Sequence, residues 1–342
     1  MNTKKERIQA VPTNIITGFL GVGKTSAILH FLKSKPDNER WAVLVNEFGE
    51  IGVDGALVQG QSTEESGVFI REVPGGCMCC TAGVPMQVAL NQLLRKARPD
   101  RLLIEPTGLG HPKEVLKVLS DKQYQEVLSI QKIITLVDAR QLSDLRYTEN
   151  DTFHQQIAIG DLIVGNKRDR YQQDDYGKLD QYVHEHGQAQ VSIMVTQQGV
   201  IDIACLEGAT GAIALDTEVH EHHHDHDHSQ EHHNDKPALD RIPVPREGYV
   251  QAINRGEGFE SIGWRFAANQ IFSSEKLFAV LISLNADRVK GVFITEKGKF
   301  AYNIAGESIT ETELGHCSES RIEIISSQVS DEWGRQLLEC EI

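Results

Sequence analysis

The eight residues Gly18-Phe-Leu-Gly-Val-Gly-Lys-Thr25 restrict this chain more than any other stretch, because they fit G-x-x-x-x-G-K-[ST] and carry the right flanks. Before them, Ile15-Ile-Thr17 reads as a short buried strand; after them, residues 26–33 set Ile28, Leu29 and Leu32 on one helical face. Strand, glycine-rich loop and helix in that order build an anion cradle. Backbone N–H groups converge on phosphate oxygens where no Cβ intervenes, and the helix N-terminus favours negative charge. The pattern predicts a nucleotide site in which Gly21, Val22, Gly23, Lys24, Thr25 and Ser26 surround the phosphates. Lys24 neutralises them, and Thr25 offers its hydroxyl to Mg²⁺.

Apolar, strand-like runs follow at 41–45, 68–72, 101–105, 132–137, 162–165 and 191–195, with helix-period segments between most of them. One such segment, 85–98, carries Val88, Leu90, Leu93 and Leu94 and ends in Arg95, Lys96 and Arg98, where cations suit the helix dipole. This rhythm predicts an α/β fold: a mostly parallel sheet with helices on both faces and its ligand at the carboxyl ends of the strands. From about residue 207 the character changes. Residues 219–236 interleave eight histidines with acids at no period that could bury a face, so 207–244 is expected to be a solvated linker. Residues 245–342 then carry alternating runs at 249–254, 259–266, 289–295, 299–303 and 321–325, with helical patterns at 274–284 and around Trp333 and Leu337. A smaller C-terminal α+β domain with a mainly antiparallel sheet is the expectation, after a nucleotide domain spanning 1–206.

Charge narrows the partners. A formal net charge of −15 is the reverse of the basic surface that phosphate backbones require, so nucleic acid is not expected. No window approaches the roughly 18 apolar residues of a membrane span, and the charged N-terminus lacks an apolar leader, which points to the cytoplasm. Six cysteines in a chain of this kind do not read as a disulfide framework, and three of them, Cys77, Cys79 and Cys80, fall within four residues.

Four stretches carry chemistry. In addition to the phosphate loop, 101–105 is a strand that ends in Glu105 and is followed by Gly108, which suits a second acid near Mg²⁺ and a glycine N–H facing the γ-phosphate. Asn166-Lys167-Arg168-Asp169 follows another apolar strand. A carboxylate there can accept from N1–H and the 2-amino group of guanine, which adenine lacks, while Asn166 and the Lys167 stem frame the base. This selects GTP. Gly76-Cys-Met-Cys-Cys80 presents soft thiolates suited to Zn²⁺ and other late transition metals at about 2.3 Å, with a fourth position left open. Glu47, Glu50 and His111 are further ligand candidates, and the loop 46–54 stands where a segment responds to the γ-phosphate. The alternatives for the cysteines are a redox dithiol or buried apolar thiols. Imidazoles of the histidine run can hold Zn²⁺, Ni²⁺ or Co²⁺ weakly.

In this order, 18–25, Asn46-Glu-Phe-Gly-Glu50, Gly76-Cys-Met-Cys-Cys80, Glu105-Pro-Thr-Gly108 and 166–169 resemble the CobW family of metal-handling P-loop GTPases, the C-x-C-C being the specific mark. Gly165 departs from the larger apolar residue that often precedes N-K-x-D. The resemblance implies a slow GTPase that delivers zinc, cobalt or iron to client proteins. Lys24, Thr25 and Glu105 would serve phosphate and Mg²⁺, Asn166 and Asp169 guanine, and Cys77, Cys79 and Cys80 the cargo. The leading expectation is a GTP-hydrolysing metallochaperone, most directly for Zn²⁺, with Co²⁺ or iron insertion as the variant. With no evident catalytic glutamine or arginine, turnover should be slow. A nucleotide-gated metal store without hydrolysis and a small-molecule kinase are the readings from other classes.

Overall fold

The computed structural model describes residues 7–45, 66–73, 84–212, 248–256, 259–284, 286–305, 308–330 and 332–342. Loop 46–54, the three clustered cysteines and the histidine run lie outside them.

The first sheet contains β1 (Val11–Gly18), β2 (Trp41–Val45), β3 (Val68–Glu72), β4 (Arg101–Glu105), β5 (Leu128–Ile130), β6 (Ile134–Val137), β7 (Leu162–Gly165) and β8 (Ser192–Val195). Its order is β3-β2-β4-β1-β6-β7-β8, with β5 beside the first half of β1, and every pairing is parallel. Both faces are covered, so the strands read as continuous apolar runs and the pleat divides them by parity. Trp41, Val43 and Val45 pack with Ile16 and Leu103 against α1 (Lys24–Lys33), while Ala42 and Leu44 pack with Ile15, Leu102 and Ile104 under the helix Val84–Ala97. The α/β class expected from the sequence is what the chain adopts. The short β5 escapes the periodicity because three residues show no alternation.

Two helical faces differ in detail from their expected stripes. α1 buries Ile28, Phe31 and Leu32, leaving Leu29 half-buried at the edge of a cleft. The helix Val84–Ala97 buries Met86, Ala89, Leu90, Leu93 and Leu94 and turns Val88 outward at 47% exposure. The first domain does not end at 206, nor does a solvated linker begin at 207, as expected: Lys132 N–H donates to Gly208 O (2.8 Å), Gly211 N–H donates to Asp161 Oδ1 (2.8 Å), and Ala212 is buried in the core under the sheet.

The second sheet is antiparallel throughout, with β9 (Tyr249–Gly256), β10 (Phe259–Phe266), β11 (Arg288–Thr295), β12 (Gly298–Ala305), β13 (Ser308–Glu313) and β14 (Arg321–Ser326) in the order β13-β12-β11-β14-β10-β9. Glu296-Lys297 forms the tight link between β11 and β12, as the hairpin signal predicts. Trp264, Phe266, Ile322 and Ile324 face the helices Ser274–Ser283 and Glu332–Leu338. The opposite face turns to the first sheet, where Phe259 and Ile325 join its core and the Phe259 ring meets Phe19 edge-on at 6.2 Å. Among the described residues no helix is long and apolar enough to cross a membrane.

Candidate functional site

β1 ends in the glycine-rich loop, and α1 begins at Lys24, so the helix N-terminus points at the space beyond the sheet's carboxyl edge. Gly23 caps the helix at φ 103°, and a Cβ on it would stand 2.4 Å from Asn166 Nδ2. Glycine is required there on both counts. Lys24 is 4% exposed and donates to the carbonyls of Gly18 (3.0 Å) and Phe19 (3.1 Å). Burial, and then the Arg288 charge, hold its ammonium well below the ordinary lysine range, with Glu105 working the other way and Lys290 adding to the depression.

Thr25 Oγ1 donates to Glu105 Oε1 at 3.0 Å, and Glu105 is 1% exposed. The sequence places these two groups 80 positions apart, and the β1–β4 pairing brings them together. A hydroxyl and a carboxylate converging at the start of α1 are hard oxygen donors, the set that suits Mg²⁺. Thr25 and Glu105 would hold that ion beside the phosphates. A third partner comes from the second sheet: Lys290 Nζ lies 3.2 Å from Thr25 Oγ1.

The N-K-R-D segment leaves β7 and divides its work. Asn166 is buried, donating from Nδ2 to Val22 O (2.8 Å) and accepting at Oδ1 from Gly199 N–H (3.1 Å), so it ties the phosphate loop to the loop after β8. Lys167 adopts φ 62°, and its ammonium lies 3.3 Å from Asp138 Oδ2. Burial lowers the Lys167 pKa against the pull of Asp138. For Asp138, burial acts upward, but the Arg140 hydrogen bonds and the Lys167 charge outweigh it and hold the carboxyl below its usual range. Asp169 is 49% exposed and lines a cleft of about 540 Å³ shared by Gly21, Gly23, Ser26, Lys167, Gln198, Asn303 and Thr310.

Gly165, the departure from the usual pattern, has a local cause. A Cβ there would meet Leu179 Cδ2 at 2.6 Å and the Tyr171 hydroxyl at 2.9 Å. Tyr171 fills the space that a larger residue at 165 would take, and its hydroxyl accepts from Ala139 N–H at 3.2 Å. His111 stands at the start of the helix Pro112–Leu119 with Nδ1 3.3 Å from Gln155 Oε1. Cys77, Cys79 and Cys80, like Glu47 and Glu50, lie outside the described residues.

Sequence reasoning missed Asp138, Tyr171, Lys290 and Asn303. Asp138 carried a usable signal, an acid directly after an apolar strand; the others are placed by tertiary packing.

The chain matches the family model described as CobW/HypB/UreG, nucleotide-binding domain, over residues 12–193. It is 39% identical over 321 residues to the zinc chaperone YeiR of Escherichia coli K12, covering 93% of this chain and 94% of that one. The zinc-regulated GTPase metalloprotein activator 1 of Schizosaccharomyces pombe is 32% identical over 165 residues, 47% of this chain and 40% of its own. The solved zinc-bound YjiA GTPase of Escherichia coli aligns with 97% of this chain and 99% of that chain at 19% identity, with a TM-score of 0.44. By the extent of the family match and the near full-length identity to YeiR, this chain belongs to the CobW/HypB/UreG nucleotide-binding family.

Proposed function

We propose that the protein is a GTP-hydrolysing zinc chaperone that works in the cytoplasm and passes its metal to a client metalloprotein. The observation that carries the nucleotide half is the buried Thr25–Glu105 pair, 3.0 Å apart, at the phosphate loop beside Lys24. The metal half is supported by the C-x-C-C thiolates at 77, 79 and 80 and by the name zinc chaperone borne by YeiR, to which the chain is similar along nearly its whole length.

In this reading Lys24 leaves the loop carbonyls to meet phosphate oxygens, while the N–H groups at 21–26 hold the remaining charge. Asp169 accepts from the guanine edge. Asn166 keeps the phosphate loop and the 198–200 loop at fixed separation, so base and phosphates are bound in one register. Mg²⁺, when bound, supplies charge neutralisation at the β- and γ-phosphates. Cys77, Cys79 and Cys80 hold Zn²⁺ as cargo, and the histidines of residues 219–236 buffer the ion.

The test is a Zn²⁺ titration of the reduced protein with and without a non-hydrolysable GTP analogue, with Co²⁺ absorption as a second readout and Cys79→Ala as control. Nucleotide-dependent metal affinity that Cys79→Ala abolishes is the expected result. Equal metal affinity in both nucleotide states would refute the chaperone.

A further inference from the structure

The second sheet turns two unlike faces to its surroundings. One is apolar and packs on its own helices; the other carries Thr310, Asn303, Lys290 and Glu323 in a single row across four strands. Such a row reads as a solvent face, yet Lys290 and Glu323 are 2% and 3% exposed. Lys290 reaches Thr25, which fixes that part of the row at the phosphate end of the site.

Asn303 is one strand further out, about 4.8 Å along the row. It lines the cleft that also contains Ser26, Lys167 and Asp169, together with Thr310. Its Oδ1 is shielded from solvent and meets no hydrogen-bond partner among the described residues. An unpaired acceptor on a residue in the wall of a polar cleft marks a place where a ligand donor belongs. The row therefore sets a cation beside the phosphate loop and a carboxamide in the wall of the cleft at Asp169.

We propose that Asn303 hydrogen-bonds the nucleoside portion of the bound guanine nucleotide, so that the nucleotide site is built by both sheets. This rests on the reading that the cleft at Asp169 holds guanine. A consequence is that nucleotide adds to the free energy holding the C-terminal sheet against the first, and nucleotide loss weakens that contact. Occupancy is thereby communicated to the C-terminal domain directly through the nucleotide.

The experiment titrates a fluorescent GDP analogue into the full-length wild type, Asn303→Ala and Asp169→Ala, and follows amide exchange of the wild type with and without GDP. Loss of one hydrogen bond to a shielded group should raise the Kd of Asn303→Ala about tenfold. GDP should also slow exchange in β12 and β13. Wild-type affinity in Asn303→Ala, while Asp169→Ala loses its preference for guanine, would overturn the role of Asn303 and leave the guanine site standing. A wild type that binds no guanine nucleotide overturns both. Should Asn303→Ala fail to fold, exchange decides: protection of β12 and β13 by GDP supports the proposal, and unchanged exchange overturns it.

Discussion

Asn166→Ala separates two jobs that the N-K-x-D pattern runs together. The Asn166 side chain is 2% exposed and makes one bond to Val22 O (2.8 Å) and one from Gly199 N–H (3.1 Å). Truncation to alanine leaves that carbonyl and that N–H buried without partners, each costing about 1–3 kcal/mol. Water entering the vacated volume recovers part of this, so a net loss of about 3 kcal/mol is expected. At about 2–4 °C per kcal/mol for a unit of this size, the nucleotide-domain melting transition should fall by about 6–12 °C. Asp169 is 49% exposed, and its nearest charge, Arg170, stands 3.8 Å away, so Asp169→Ala should move stability by less than about 0.5 kcal/mol. Binding should split the opposite way. Asp169→Ala should bind GDP and inosine diphosphate alike, because inosine lacks only the 2-amino group that the carboxylate reads. Asn166→Ala should weaken both ligands by a similar factor and retain the wild-type ratio. Calorimetric melting of the nucleotide-free proteins, with fluorescence titration of the two diphosphates, makes the comparison. Equal melting of wild type and Asn166→Ala would refute the account, as would an Asp169→Ala that melts as low as Asn166→Ala.

Lys24, held well below the ordinary lysine value of 10.5 by burial and by Arg288 and Lys290, should regain its proton affinity when phosphates arrive. GDP binding at alkaline pH below 10.5 should therefore take up protons, seen as a buffer-dependent calorimetric enthalpy; proton release would contradict the assignment. The same depressed pKa makes charged Lys24 a cost to the folded state, so its contribution to instability is present below the folded pKa and is relieved as pH rises toward 10.5. Lys290→Met removes a cation lying 3.2 Å from Thr25 Oγ1. A unit-charge pair at about 4 Å and an effective dielectric of about 20 is worth about 4 kcal/mol, so even a quarter to a third of that should lower the Mg²⁺ midpoint for GDP binding about tenfold. An unchanged midpoint would show that Lys290 does not act on the ion. Gly165→Ala pushes a methyl within 3 Å of Leu179 and Tyr171 and should cost about 1–3 kcal/mol, with Tyr171→Phe restoring part of the loss in a double-variant cycle.

The residues that declared themselves in the sequence are those whose demands are local. A loop that must wrap phosphates needs glycine at fixed offsets and a lysine at the first helical turn, and Gly23 and Lys24 meet those demands without help from distant chain. Glu105 was legible because a parallel sheet presents strand ends on one edge, so a strand-terminal acid shares that edge with the loop after β1. Lys290 and Asn303 could not be read in this way. In 289–303 each stands at a polar position of an alternating strand, which marks a solvent face unless another surface covers it. Covering depends on docking two sheets whose residues are more than 250 positions apart in the chain, and no periodicity encodes that. Val88 shows the converse limit: it is apolar, but two positions, or about 200° round the helix, separate it from both Met86 and Leu90 of the buried stripe, and the residue is 47% exposed.

The docked face also explains why the second sheet keeps charge where burial disfavours it. Taking Lys290, Arg288 and Glu323 out of water costs several kcal/mol per ion before their mutual attraction is counted, and an apolar face would pack at least as firmly. Phe259 and Ile325 already provide such apolar contact at one edge, against Phe19 and the first core. The cations Lys290 and Arg288 beside a phosphate loop gain from a ligand what they lose in desolvation, because triphosphate charge acts on them through a medium of low dielectric. Docking of the two sheets should therefore tighten when nucleotide is present and loosen when it leaves, and that is the coupling a carrier needs if release of its cargo is to follow the state of its nucleotide.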